Sequence, residues 1–183
     1  MTRLAAVLLT GMLLAHAALP GATPRVSRAA MQDIERTFDQ RIQRYSIDAP
    51  IDLLGATRGV YLENYGAVLS TEVNLVVGPV LSPFRPKLTK EELDRLRQRK
   101  LERLPVLKQL VRDMMVTAAT RLATVPLREQ IVVGVTLFHY SWEDSSGLPG
   151  QILMQAERKS LVDFEAGRIN REALDAAITL QEF

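Results

Sequence analysis

The stretch Ile131 to Tyr140 is the strongest constraint on what this chain can fold into. It is rich in β-branched residues and apolar at both odd and even positions, the pattern of a strand covered on two sides. Such a strand belongs in the middle of a sheet. Leu153 to Lys159 alternates apolar and polar residues, so it reads as a second strand with one wet face. Between them, Trp142-Glu143-Asp144-Ser145-Ser146-Gly147-Leu148-Pro149-Gly150 is a polar loop with glycine and proline at its end. The two strands form a hairpin.

The rest of the chain supplies what that hairpin needs to pack against. Ser27 can cap a helix over Arg28 to Tyr45, where Met31, Ile34, Phe38, Ile42 and Tyr45 recur at spacings of three and four. Ser46 to Ala56 reads as loop. Thr57 to Leu62 and Ala67 to Val77 are strand-like, joined by Glu63-Asn64-Tyr65-Gly66, and Asn64 and Gly66 tolerate the positive φ that a tight turn demands. In the second of these strands Leu69, Thr71, Val73 and Leu75 alternate with Ser70, Glu72 and Asn74, which puts one face in water. Gly78 to Lys87 holds three prolines and reads as an extended connection.

Thr89 and Glu92 form a T-x-x-E capping box, after which Leu93, Leu96, Leu101 and Leu104 make one apolar stripe and Leu107, Leu110, Val111, Met114, Met115, Ala118 and Leu122 a broader one. Pro105 stands between them. The pattern predicts either two helices, Lys90 to Arg103 and Val106 to Ala123, or a single one kinked at Pro105. Near the end of the chain Asn170 can cap a last helix carrying Leu174, Ala177 and Ile178. The expected fold is α+β: an N-terminal helix, then ββ-α-ββ-α, with a four-stranded, mainly antiparallel sheet and helices packed on one face. If the second and third strands are neighbours, the helical crossover makes that pair parallel.

At the amino end, Met1-Thr2-Arg3, an apolar run from Leu4 to Ala18 and the small residues Ala15 and Ala17 have the three parts of a secretory signal peptide. The run is shorter than the roughly 20 residues that span a bilayer, so it is read as a cleaved segment, residues 1–17. Residues 18–26 are then a lead-in and 27–183 one domain. Expected localisation is periplasmic or secreted, with no integral membrane span after cleavage. Removing Arg3 takes the Lys+Arg to Asp+Glu balance from 23 against 21 to 22 against 21, which is no nucleic-acid footprint.

The chemistry on offer is narrow. The chain has no cysteine, which excludes disulfides, thiolate metal sites and acylation at a lipoprotein cysteine. Once His16 is removed, His139 is the single histidine, and Ser141, Ser145 and Ser146 lie in no G-x-S-x-G elbow. No phosphate-binding glycine motif and no calcium-loop spacing occurs. No catalytic residue, metal ligand or cofactor is therefore assigned. Arg95, Arg99 and Arg103, with Arg97 and Lys100, are interleaved with Glu91, Glu92, Asp94 and Glu102 and read as a solvated helix face.

What remains is recognition. Tyr61, Tyr65, Tyr140 and Trp142 lie near the ends of the two hairpins, and if those ends meet they gather aromatics beside Arg58, Glu63, His139, Glu143 and Asp144. Those nine residues are the candidate binding set. The expected function is non-catalytic, through contacts with a protein of the cell envelope. One alternative is a carboxylate-dependent cell-wall hydrolase, which needs two acids among Glu63, Glu72, Glu143 and Asp144 across one pocket. Another is a carrier of a small apolar ligand, held between the sheet and the Met114-Met115 helix.

Overall fold

The computed structural model describes residues 25–45, 50–78 and 88–183. The expected signal peptide, most of the lead-in, the start of the loop after the first helix and nearly all of the proline-rich connection lie outside the described residues. Ten elements follow in order: α1 (Arg28–Gln43), β1 (Asp52–Leu53), β2 (Arg58–Leu62), β3 (Gly66–Asn74), α2 (Lys90–Arg121), β4 (Gln130–Leu137), β5 (Gln151–Glu157), α3 (Arg158–Glu165), α4 (Arg171–Ala177) and β6 (Thr179–Glu182). The fold is α+β around one mixed sheet. Its order is β1-β3-β4-β5-β6, with β2 paired to the same edge of β3 as β1.

Helix starts follow the side chains read from the sequence. Ser27 accepts from the Ala30 amide at the head of α1, Thr89 and Glu92 exchange both bonds of the capping box, and Asn170 accepts from the Ala173 amide at the head of α4. Each such cap satisfies an amide the helix cannot, worth about 1 kcal/mol. Pro105 neither splits nor ends α2, which runs unbroken for 32 residues. A proline in a helix interior costs about 3 kcal/mol. Burial on both sides of it offsets that cost, since Lys100, Leu104, Leu107, Val111, Met114 and Met115 all lie buried along the helix.

The β2–β3 turn forms at Glu63 to Tyr65, with Asn64 at φ 64° and Gly66 at φ 139°. Gly66 is needed there for space as well as conformation, because an added Cβ would lie 1.9 Å from the Gln130 carbonyl oxygen. β3 and β4 run parallel, in register from Gly66 beside Gln130 to Val73 beside Leu137, and every other pairing in the sheet is antiparallel. The sheet has six strands where four were expected, because β1 and β6 are too short to show a period in the sequence. The β4 strand stops at Leu137, so Phe138, His139 and Tyr140 belong to the following loop. Arg158 and Lys159 begin α3, an unexpected helix, instead of ending a strand.

α1, α2 and α3 pack on the sheet, and α4 packs on α3. Ala67, Leu69 and Val73 of β3, Ile131, Val133, Val135 and Leu137 of β4, and Ile152, Met154 and Ala156 of β5 share a single core with the apolar faces of α1 and α2. Tyr45, expected on the α1 stripe, lies past the helix end and is 45% exposed. The other sheet face carries Ser70, Glu72 and Thr136 in water, but Asn74, expected on the same wet face, is buried at the end of β3. Two-sided cover of β4 is thus not provided by helices. Val132 is buried on that second face within the sheet itself, flanked in register by Val68 and Gln155.

Candidate functional site

The parallel β3–β4 pair decides where the candidate residues go. The β2–β3 turn lies at the amino end of β4, and the loop from Phe138 to Gly150 lies at its carboxyl end. An eight-residue strand separates them by about 25 Å. The two hairpin ends therefore do not meet, and the nine candidate residues divide into separate groups.

At the amino end are Tyr61, Glu63 and Tyr65. Tyr61 packs against the core, and its phenol has its pKa raised by burial and by the neighbouring Glu129 carboxylate. Glu129 is itself buried and paired with Arg25 at 3.4 Å. Glu63 and Tyr65 are exposed in the turn. Arg58 is apart from both groups, on the wet face of the sheet, where it lines a shallow cleft with Ser70, Glu72 and Thr136.

At the carboxyl end His139, Tyr140, Trp142, Glu143 and Asp144 form one cluster, and α2 supplies its foundation. Lys100, read from the sequence as part of a solvated face, is 0% exposed. Its ammonium pairs with Glu143 and donates to the Phe138 carbonyl at 3.3 Å. Three residues earlier on the same helix, Arg97 donates to the Ser146 carbonyl at 2.8 Å and lies 3.7 Å from the Asp144 carboxylate. Consecutive acids in the loop thus meet two cations one helical turn apart. Arg103, another residue of that charged run, donates to the carbonyls of Pro50 and Leu75 at 2.9 Å. All three departures from the expected solvated face have one cause: the first half of α2 passes the carboxyl end of β3 and β4, where loop carbonyls and acids need donors.

The loop also organises itself. Asp144 accepts from the Ser146 amide at 2.9 Å and from its hydroxyl at 2.5 Å, and these bonds, with Arg97 nearby, hold its carboxyl below the usual range. His139 stands 3.4 Å from the Pro149 carbonyl through Nε2 and 3.8 Å from Glu143 through Nδ1, which is buried without a hydrogen bond. On this base Phe138 meets Tyr140 edge to face at 4.8 Å, and Tyr140 stacks on Trp142 with centroids 5.0 Å apart and planes 9° from parallel. Trp142 is partly buried against the core, and Tyr140 is 43% exposed. A surface cleft of about 630 Å³, lined by Val77, Gly78, Glu92, Arg95, Gln98 and Arg99, lies alongside; the Trp142 ring is near Gly78.

Of the four acids among which a hydrolase would need two, Glu63 lies in the far turn and Glu72 on the wet sheet face, while the adjacent Glu143 and Asp144 are each engaged within the loop, Glu143 buried against Lys100 and Asp144 bonded to Ser146. Met114 and Met115 are filled into the core, and the clefts around Arg99, Arg121 and Arg58 are lined by other residues. Among the described residues no three His, Asp or Glu side chains are grouped to hold a metal ion, and no helix is long and apolar enough to cross a membrane. Sequence reasoning missed Lys100 and Arg97 as the loop's supports. Their spacing of three was visible, but their partners are more than 40 residues away. Comparison with protein-family models, with curated proteins and with solved structures gives no match to this chain.

Proposed function

We propose that this chain is a periplasmic or secreted, non-catalytic domain that acts through protein contacts in the cell envelope, made by the loop after β4. The observation that carries the reading is the stacked Tyr140–Trp142 pair standing on a loop locked from below by Lys100 and Arg97. Aromatic anchors give most to an interface when their conformation is already set, because little ordering entropy is then lost on binding. A buried ion pair beneath two stacked rings supplies that order. The basic start, apolar run and A-x-A site at residues 1–17 support the envelope assignment.

Capture from envelope extract tests it, comparing wild-type protein with the Tyr140→Ala/Trp142→Ala variant and with Tyr65→Ala at the other end of the sheet. The expected result is a partner retained by wild type and Tyr65→Ala and lost by the double variant. Identical partner lists for all three would remove the loop from the function.

A further inference from the structure

The two edges of the sheet are treated in opposite ways. On the β2 side, the outward amide of Gly59 donates to Glu35 at 2.7 Å and its carbonyl accepts from Arg28 at 3.1 Å. Arg28 and Glu35 are also paired with each other through both carboxylate oxygens, at 2.7 and 2.9 Å. Just ahead of β2, the Thr57 amide donates to Asp39 at 2.8 Å. Three side chains of α1 thus occupy backbone groups that an incoming strand would use, a direct block to edge pairing.

Among the described residues β6 has no such cover. The reciprocal bonds between Gln151 and Phe183 fix which of its residues face β5: Phe183 does, and by alternation Gln181 and Thr179 do too. The amides and carbonyls of Leu180 and Glu182 consequently point outward, away from the sheet. All four residues of β6 are exposed, and Thr179-Leu180-Gln181-Glu182 contains no proline, lysine or glycine to discourage pairing. On the helix side of this edge Leu180 leaves 38% of itself in solvent, and Glu182 is ion-paired with Lys108 of α2 while keeping 36% of its side chain exposed.

We propose that the β6 edge is a strand-accepting site: an extended segment of a separate protein adds to the sheet beside Leu180 and Glu182. Main-chain bonds to those two residues would hold it, and its side chains would alternate between the helix side and the wet side of the sheet. The edge itself specifies the chemistry on the helix side, an apolar residue beside Leu180 and a cation two positions away beside the Glu182 carboxylate. A second copy of this chain fits less well. Two-fold pairing centred on Gln181 would set an apolar Leu180 against a carboxylate at both ends, over only four residues per copy, far short of the roughly 800 Å² per partner of a stable interface.

Random decapeptides displayed on phage and selected against the full chain provide the probe. Enriched peptides should carry an apolar residue two positions from a Lys or Arg, and should slow hydrogen exchange of the Leu180 and Glu182 amides at least tenfold. Leu180→Pro removes an outward donor without touching the β5 ladder, so it should weaken binding at least tenfold, whereas Leu180→Ala should weaken it less than threefold. If Leu180→Pro loses the slow exchange of β5, Glu182→Pro makes the same test at the other outward donor. Equal binding to the proline variant overturns the proposal. So do protection confined to the loop after β4, protection that appears with protein concentration alone, or a library that yields no binder.

Discussion

Lys100 and Glu143, 43 residues apart, meet at the carboxyl end of the sheet with 1% and 3% of their side chains exposed. Taking both charges out of water is costly, and their attraction returns that cost only while both are present. The pair therefore acts less as a source of stability than as a latch fixing the loop to α2. Lys100→Met should destabilise the fold by about 3–5 kcal/mol, because Glu143 is left buried without its ammonium partner. The Lys100→Met/Glu143→Leu variant should recover most of that loss. Urea unfolding of the three proteins checks it, and a double variant as unstable as the single one would contradict the latch.

Arg158 is the other buried cation among the described residues. Its guanidinium donates to the carbonyls of Ala119 at 2.7 Å and Val125 at 2.9 Å, closing the end of α2, and burial lowers its pKa. Arg158→Met should cost about 2–3 kcal/mol, since the freed carbonyls remain buried. The loss should appear in urea midpoints, and as faster amide exchange concentrated around Leu122 to Val125.

Gly66 begins the parallel pairing. Its φ of 139° and its contact with Gln130 leave no room for a side chain. Gly66→Ala should lower stability by at least about 2 kcal/mol, while Gly55→Ala, where an added Cβ meets nothing within 4 Å, should change it by less than about 0.5 kcal/mol. Thermal unfolding of the two variants separates a conformational requirement from general loss of glycine.

Asp163 pairs with Lys159 one turn earlier on α3, at 2.6 Å, and with Arg168 just past the helix end, and these two cations hold its carboxyl below the usual aspartate range. A carboxyl lowered by folding contributes stability that is full above the unfolded value and is lost as pH falls through the folded one. Wild-type stability should thus decline more steeply than that of Asp163→Asn between about pH 5 and about pH 2. Parallel urea curves across that range would show that Asp163 contributes nothing to acid unfolding.

Much of the architecture is local and was legible. The caps at Ser27, Thr89 and Asn170, the turn at Asn64 and Gly66, and the wet positions Ser70 and Glu72 of β3 all depend on neighbours within a few residues. The parallel pair followed once β3 and β4 were adjacent, because α2 must span the sheet between them. α3 and β6 were not legible. Arg158 to Glu165 and Thr179 to Glu182 are short, with too few turns or repeats to set a period, and packing on α2 and β5 decides their form.

The candidate site divides along the same line. From the sequence alone came the aromatics and acids of the loop after β4, because residue type and turn chemistry travel with the chain. Their separation from Tyr61, Glu63 and Tyr65 came from strand direction, a property of the whole sheet. So did the burial of Lys100 against Glu143 and the difference between a sealed β2 edge and a β6 edge left uncovered by the described residues. Each of these pairs groups far apart in sequence, and charge, aromaticity and periodicity along a chain carry no record of what will stand opposite once it folds.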